Sequence, residues 1–142
     1  MTATDDDVVV TLAPDAAWDF LRGQRVGRLA YHLLGEVHIV PVNYVVADGR
    51  ILFRTAPGSK LLGVVMDADV AFETDRVGPD RATSVVVRGA ANLLTEREVD
   101  DLGDVPVTSW VPTDKDEVVA VEVREISGRS FVLDRREPTR TG

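Results

Sequence analysis

The sequence predicts a mainly β fold, an antiparallel barrel with short helices at its periphery. Valine-rich runs recur along the chain, and valine, stiff at χ1, suits the pleated surface of a sheet. Glycine and proline, 11 and 7 of the 142 residues, interrupt those runs at short intervals. The helix-like segments are few and irregularly placed, unlike the regular strand–helix alternation of a doubly wound sheet.

Val8–Leu12 opens the first strand. Pro14–Leu21 then places Ala16, Ala17, Phe20 and Leu21 at helical spacing behind an Asp-containing start, with Trp18 on the packing side. Arg25–Leu33 and Val37–Val46 read as strands. In the second, His38, Val40, Val42 and Tyr44 share one face, and Ile39, Pro41, Asn43 and Val45 the other. Asp48-Gly49 separates Val45-Val46 from Ile51-Leu52-Phe53 as a two-residue hairpin turn, because both turn residues tolerate positive φ. Pro57-Gly58-Ser59 breaks the strand, and Lys60–Met66 has the length and leucine content of a two-turn helix capped by Ser59. Ala68–Thr74 and Thr83–Asn92 are strands joined by the polar loop Asp75–Arg81. Thr95–Asp101 is a short helix with capping-box spacing between Thr95 and Glu98, followed by a proline-containing loop, Gly103–Lys115. Val119, Val121 and Val123 alternate with Ala120, Glu122 and Arg124 as a half-buried strand, which Ser127-Gly128 turns into Ser130–Leu133. The domain spans residues 8–134, between a flexible acidic N-terminus (1–7) and a flexible polar C-terminal tail (135–142).

Composition restricts the function. With 44% hydrophobic and 28% charged residues, the chain suits one globular domain that buries about two-thirds of its unfolded surface without staples. The absence of cysteine excludes thiol catalysis and thiolate-bound metals, and it fits a reducing cytoplasm. A net charge of −8 disfavours nucleic acid as a partner. The N-terminus lacks the basic start of a signal peptide, and no apolar run approaches the roughly 20 residues that a bilayer requires. The expectation is a cytoplasmic protein without a membrane partner.

Lysine occurs only at Lys60 and Lys115, so the placing of Lys60 in Phe53-Arg54-Thr55-Ala56-Pro57-Gly58-Ser59-Lys60-Leu61 is informative. Two cations and two hydroxyls around a strand end and a helix start are the parts of an anion site, with Arg54 as a planar clamp and Lys60 as a point charge. The residues alone leave a second reading open, in which Arg54 pairs with a surface carboxylate, Ser59 only caps a helix and Lys60 faces water. The segment lacks the Gly-Lys-Ser order of a P-loop. His32 and His38 have no third ligand at metal-like spacing and read as structural or exposed. Arg88, mid-strand on the face of Ser84 and Val86, reads as a buried ion-pair partner in preference to an anion contact.

Six blocks in order carry a family resemblance: Val26-Gly27-Arg28-Leu29-Ala30; Pro41-Val42-Asn43-Tyr44; Phe53-Arg54-Thr55 with Gly58-Ser59-Lys60-Leu61; Val70-Ala71-Phe72-Glu73; Ser84-Val85-Val86-Val87-Arg88-Gly89; and Ile126-Ser127-Gly128-Arg129. From Asp15 to Leu133 the chain resembles the pyridoxamine 5′-phosphate oxidase-like flavin-binding split-barrel proteins, particularly their small single-domain members. The resemblance implies an antiparallel split β-barrel of Greek-key type and a homodimer with FMN in a groove at its interface. Arg54, Thr55, Ser59 and Lys60 would hold the phosphate. Val42, Asn43 and Tyr44 would lie along the isoalloxazine ring, with Ser84 and Val85 approaching from a neighbouring strand. Trp110 would reach the flavin of the other protomer, or else cover the barrel end. The implied activity is that of a flavin-dependent oxidoreductase acting on a small-molecule substrate or electron donor. The alternative is a non-catalytic module that binds or stores a flavin, deazaflavin or haem. Pyridoxamine phosphate oxidation itself is disfavoured, because no second basic cluster other than Arg135-Arg136 stands toward the C-terminus.

Overall fold

The computed structural model describes residues 8–56, 66–107 and 117–134. Its elements are β1 (Val9–Thr11), α1 (Pro14–Gly23), β2 (Val26–Leu33), β3 (Glu36–Ala47), β4 (Arg50–Thr55), β5 (Met66–Val77), β6 (Arg81–Leu93), α2 (Glu96–Asp101) and β7 (Glu117–Val132). The strands form one sheet in the order β1-β7-β4-β3-β2-β5-β6, and a further β6–β7 pairing returns the sheet on itself. Every pairing is antiparallel. The result is the mainly β, split-barrel architecture that the sequence predicts.

Local chemistry accounts for the hairpins. Asp48 and Gly49 adopt φ of 53° and 69°, the doubly left-handed turn that matches strand twist, and Ala47 pairs with Arg50 beside them. Around α2, the Glu98 N–H donates to Thr95 Oγ1 at 3.2 Å, and the Thr95 N–H donates to Glu98 Oε1 at 3.1 Å. Both halves of the capping box are therefore made. Helix α1 starts on Pro14 and buries Ala17 and Leu21, while Trp18 packs half-buried against the same core.

Inward-facing residues of all the long strands form the main core, with Leu29, Ile51, Phe53, Phe72, Val87 and Val119 among its members. Tyr44 meets Phe72 edge-on at 4.8 Å between ring centroids. A second core lies outside the barrel wall, where Leu52, Val118 and Ala120 pack under Leu94 and Val107. Val118 to Val121 are consequently all buried, and the strand is covered on both faces rather than half-buried as its alternation suggested.

Other departures have equally local causes. β5 and β6 run on through the expected loop as far as the pair Val77↔Ala82, and Asp75 and Arg76, on opposite faces of the continuing ladder, are both exposed. β7 does not turn at Ser127-Gly128. Gly128 sits mid-strand opposite Val85, and an added Cβ there would lie 2.8 Å from Leu12, so this glycine serves close approach. Met66, expected in a helix, opens β5 opposite Asn92. The remainder of that helix with its Ser59 cap, most of the loop Gly103–Lys115, and the two terminal segments lie outside the described residues. No helix among the described residues is long and apolar enough to cross a membrane.

Candidate functional site

β3 and β4 part where the site was expected. Their ladder runs from Ala47↔Arg50 to Tyr44↔Phe53, while β4 continues along β7 through Arg54↔Val118 and Thr55↔Glu117. β3 continues along β2 through Asn43↔Val26 and Pro41↔Arg28. The Tyr44 N–H donates to the Arg25 carbonyl on the β2 side at 2.9 Å. Asn43 therefore directs its own N–H and C=O to the β4 side, beside Arg54, where the β3–β4 ladder ends. Pro41, two positions on, faces the same side and has no N–H to leave unpaired.

The side chains follow the same alternation. Val42 and Tyr44 point into the barrel at 7% and 3% exposure, so neither side chain is open to a ligand on the outer face. The Tyr44 hydroxyl donates to the Leu21 carbonyl at 2.6 Å, and burial pushes the phenol up to about 12. It is a packing group rather than barrel surface. Asn43 and Arg54 share the outer face at the split, both half-buried. Arg54 Nε donates to the Val107 carbonyl at 2.6 Å, which fixes the guanidinium with one of its five donors. Thr55 is half-buried on the adjacent inner position, opposite Glu117, whose negative charge weakens any anion bound there. Ser59, Lys60 and Trp110 lie outside the described residues.

Val85 is fully buried in the core. Ser84 stands at the level of Asn43 across the sheet, through Asp75 on β5 and Val26 on β2, three strand spacings or about 14 Å away.

The outer face of β2, β5 and β6 carries features that sequence reading missed. Arg28 donates through Nε to Glu73 at 2.9 Å and through a terminal nitrogen to Asp75 at 2.7 Å. Burial, then the hydrogen bond to Asp75, raises the Glu73 carboxyl, while the hydrogen bond from Glu73 lowers Asp75. The two-residue spacing of Glu73 and Asp75 was the available signal, since it puts both on one face of a strand. Arg88 is exposed and makes no ion pair among the described residues, contrary to the buried pair expected of it. Beside it, a cleft of about 560 Å³ is floored by Ala30, Ala71 and Gly89. His32 is exposed at its rim. His38 stacks on Tyr31 at 5.4 Å between centroids.

The Arg28 network makes a pH-dependent contribution to stability. The folded pKa of Glu73 is raised from 4.5, so its contribution is present at low pH and lost as pH rises through that value. That of Asp75 is lowered from 3.8, so its contribution is lost as pH falls through the folded value. The two together favour the fold most near pH 4. Glu73→Gln is expected to gain stability relative to wild type between pH 4 and pH 7, by less than about 1 kcal/mol at these part-exposed groups. Thermal melts of both proteins across that range test it, and parallel curves would contradict the assignment.

The model of the pyridoxamine 5′-phosphate oxidase family matches residues 13–130, nearly the whole described barrel. The chain belongs to the pyridoxamine 5′-phosphate oxidase family. An uncharacterised protein of Mycobacterium tuberculosis, Rv0080, is 35% identical to this family member over 137 residues, covering 92% of the chain and 90% of the relative. A provisionally named pyridoxamine 5′-phosphate oxidase from Corynebacterium glutamicum superposes with a TM-score of 0.83 at 35% identity, covering 92% of this chain and 98% of that one. The FAD binding protein of Mycobacterium smegmatis superposes at 0.78 with 32% identity, covering 88% and 100%.

Proposed function

We propose that this member of the pyridoxamine 5′-phosphate oxidase family is a flavin-dependent oxidoreductase that binds FMN where β3 and β4 part. The carrying observation is the placing of Asn43 and Arg54 side by side at that split, one step beyond the last ladder pair Tyr44↔Phe53. A bound flavin supplies hydride or electron transfer, so the protein needs no nucleophile of its own. The residues present fit that demand. Arg54, held by the Val107 carbonyl, and Thr55 form the described part of the phosphate site, which Ser59 and Lys60 complete in this reading. The stretch Pro41–Asn43, past the end of the β3–β4 ladder, is suited to lie along the ring. Tyr44 is not a proton donor here, since its hydroxyl is spent on Leu21 and its pKa stands at about 12.

In this reading the protein is a homodimer. Ser84 borders the groove from β6, and Trp110 reaches the flavin from the second copy. The FAD-binding M. smegmatis relative supports a flavin, and FMN is preferred because Arg54 begins a site for a terminal phosphate.

Arg54→Ala tests the site. A charge-assisted hydrogen bond contributes roughly 1.5–3 kcal/mol, so the variant is expected to bind FMN about 10- to 100-fold more weakly by calorimetry. Wild-type affinity in the variant would place the phosphate elsewhere. The oxidoreductase assignment is checked by adding a nicotinamide donor without oxygen. Rapid bleaching of the visible band supports turnover, and a band that no donor bleaches favours storage.

A further inference from the structure

We propose that Ser84, Ser127 and Arg129 form a binding site for a small carboxylic acid with an apolar body, and that such an acid is the substrate class of this protein. The substrate role rests on the flavin reading above, whereas the site stands on its own residues. Strand pairing brings the three together. Ser84 is opposite Arg129, and Val86 is opposite Ser127, on β6 and β7. Residues so opposed share a face, with Cβ atoms about 5 Å apart. Val85 between Ser84 and Val86 is fully buried, so the shared face is the outer one. A cavity of about 220 Å³ opens there, walled by Val9, Val86 and Phe131. Ser127 and Arg129 belong to the block Ile126-Ser127-Gly128-Arg129, to which the flavin reading gives no role.

The charges of the lining point to an anion. With 24 acidic residues against 16 basic, a recess on this protein tends to collect carboxylates. The cleft floored by Ala30 and Ala71 includes Asp69 and Glu125, and the hollow beside Trp18 includes Asp15 and Asp19. Among the described residues, the lining of the β6–β7 cavity holds an arginine and no carboxylate. Arg28, Arg54 and Arg124 are each tied to a partner. Arg129 is exposed and enters no ion pair or side-chain hydrogen bond among the described residues. Its guanidinium is therefore available to grip two oxygens side by side, with the Ser84 and Ser127 hydroxyls as further donors.

Charge and size narrow the ligand further. One arginine balances one negative charge, and Asp75, opposite Ser84 on the next strand and already bound by Arg28 at 2.7 Å, opposes a second. A carboxylate fits that balance better than a phosphate monoester, whose charge is about −1.5 to −2 at pH 7. The volume lies below the roughly 300–1,000 Å³ of pockets for drug-sized ligands, so the acid has one ring or a short chain. In the flavin reading Ser84 also borders the groove, which sets an acid gripped by Arg129 beside the cofactor.

Calorimetric titration of the full-length, flavin-free protein with benzoate tests the site, with benzamide and phenyl phosphate as its uncharged and more highly charged counterparts. The expected result is one benzoate per protomer, with each counterpart at least about 10-fold weaker. Arg129→Gln is expected to bind benzoate about 10- to 100-fold more weakly, and Arg129→Lys, which keeps the charge but not the fork, falls between. Arg129 is exposed, and circular dichroism with a thermal melt verifies that the variants fold. No heat with benzoate, benzamide as tight as benzoate, or a folded Arg129→Gln protein with wild-type affinity overturns the proposal. Phenyl phosphate binding more tightly than benzoate overturns the carboxylate class. Repeating the titration after loading with FMN separates the site from the flavin reading. Benzoate is expected to shift the visible band of the flavin, and a band unmoved at saturating benzoate overturns the substrate role. Benzoate binding by a protein that takes up no FMN keeps the site and removes the flavin. FMN uptake without benzoate binding keeps the flavin and removes the site.

Discussion

Replacing Gly89 by alanine is expected to destabilise the protein by about 3 kcal/mol or more, at the upper end of what added atoms cost in a packed interior. The reason is backbone against backbone. A Cβ on Gly89 would lie 2.0 Å from the Glu122 carbonyl oxygen and 3.0 Å from its carbon, where no side-chain rotation relieves the contact. The glycine also marks the place where the β6–β7 ladder changes register, Arg88↔Glu125 being followed by Gly89↔Val123, so that Arg124 is the extra residue of a bulge. Moving β7 away to admit a methyl would disturb its pairing with both β6 and β4, because Glu122 is also the partner of Arg50. Urea denaturation followed by circular dichroism reads the loss as a lower midpoint. A change under about 1 kcal/mol would show that the strands separate there more easily than the bend implies.

Phe72→Ala is expected to cost about 3–5 kcal/mol, the usual range for removing a fully buried ring. Phe72 is 1% exposed, meets the Tyr44 ring at 4.8 Å and lies directly beneath Gly27, whose missing side chain makes room for it. Its removal leaves a cavity bounded by β2 and Tyr44 that neighbouring residues can close only in part. Tyr44 is tied to Leu21 by its hydroxyl, so the ring cannot follow into the space without losing a buried hydrogen bond. With typical domain stability of about 5–15 kcal/mol, this variant is expected to fold only at reduced temperature or denaturant midpoint. Phe72→Leu, which keeps most of the volume, should lose less than half as much in the same assay. Equal losses for the two variants would indicate that the ring contact with Tyr44, rather than filled volume, is what matters.

The parts of the fold that sequence made legible are those whose cause is local. The Asp48-Gly49 turn, the Thr95/Glu98 capping box and the alternation of Val42, Asn43 and Tyr44 each depend on a few adjacent residues, and each forms as the residue chemistry requires. Where the decisive partner is remote, the local pattern misled. Gly128 looks like a turn until Leu12 and Val85 are seen to close on it. Asp75–Arg81 looks like a loop because Asp75 and Arg76 are charged and exposed, although the ladder carries on to Val77↔Ala82. Val118 to Val121 is a continuous apolar run, and its second buried face becomes intelligible only with Leu94 and Val107 lying over it.

The candidate site divides in the same way. Arg54 and Asn43 come together because a short hairpin joins their strands, and hairpins are readable from a dipeptide. Ser84 could not be placed from sequence, since strand order is set by long-range pairing that no short pattern encodes. The Arg28–Glu73–Asp75 network lies between these cases. Glu73 and Asp75 share a face by spacing alone, but β2 had to be known as their neighbour before Arg28 joined them.

A flavin phosphate held where β3 and β4 part is tested most directly by a calorimetric titration of the purified protein with FMN, FAD and riboflavin in parallel. The predicted result is saturation at one FMN per protomer, with riboflavin at least about 10-fold weaker because it lacks the group that Arg54 receives. FAD binding more tightly than FMN would keep the flavin and replace the terminal phosphate by a pyrophosphate. Equal affinity for FMN and riboflavin, or no heat from any of the three, would contradict the account.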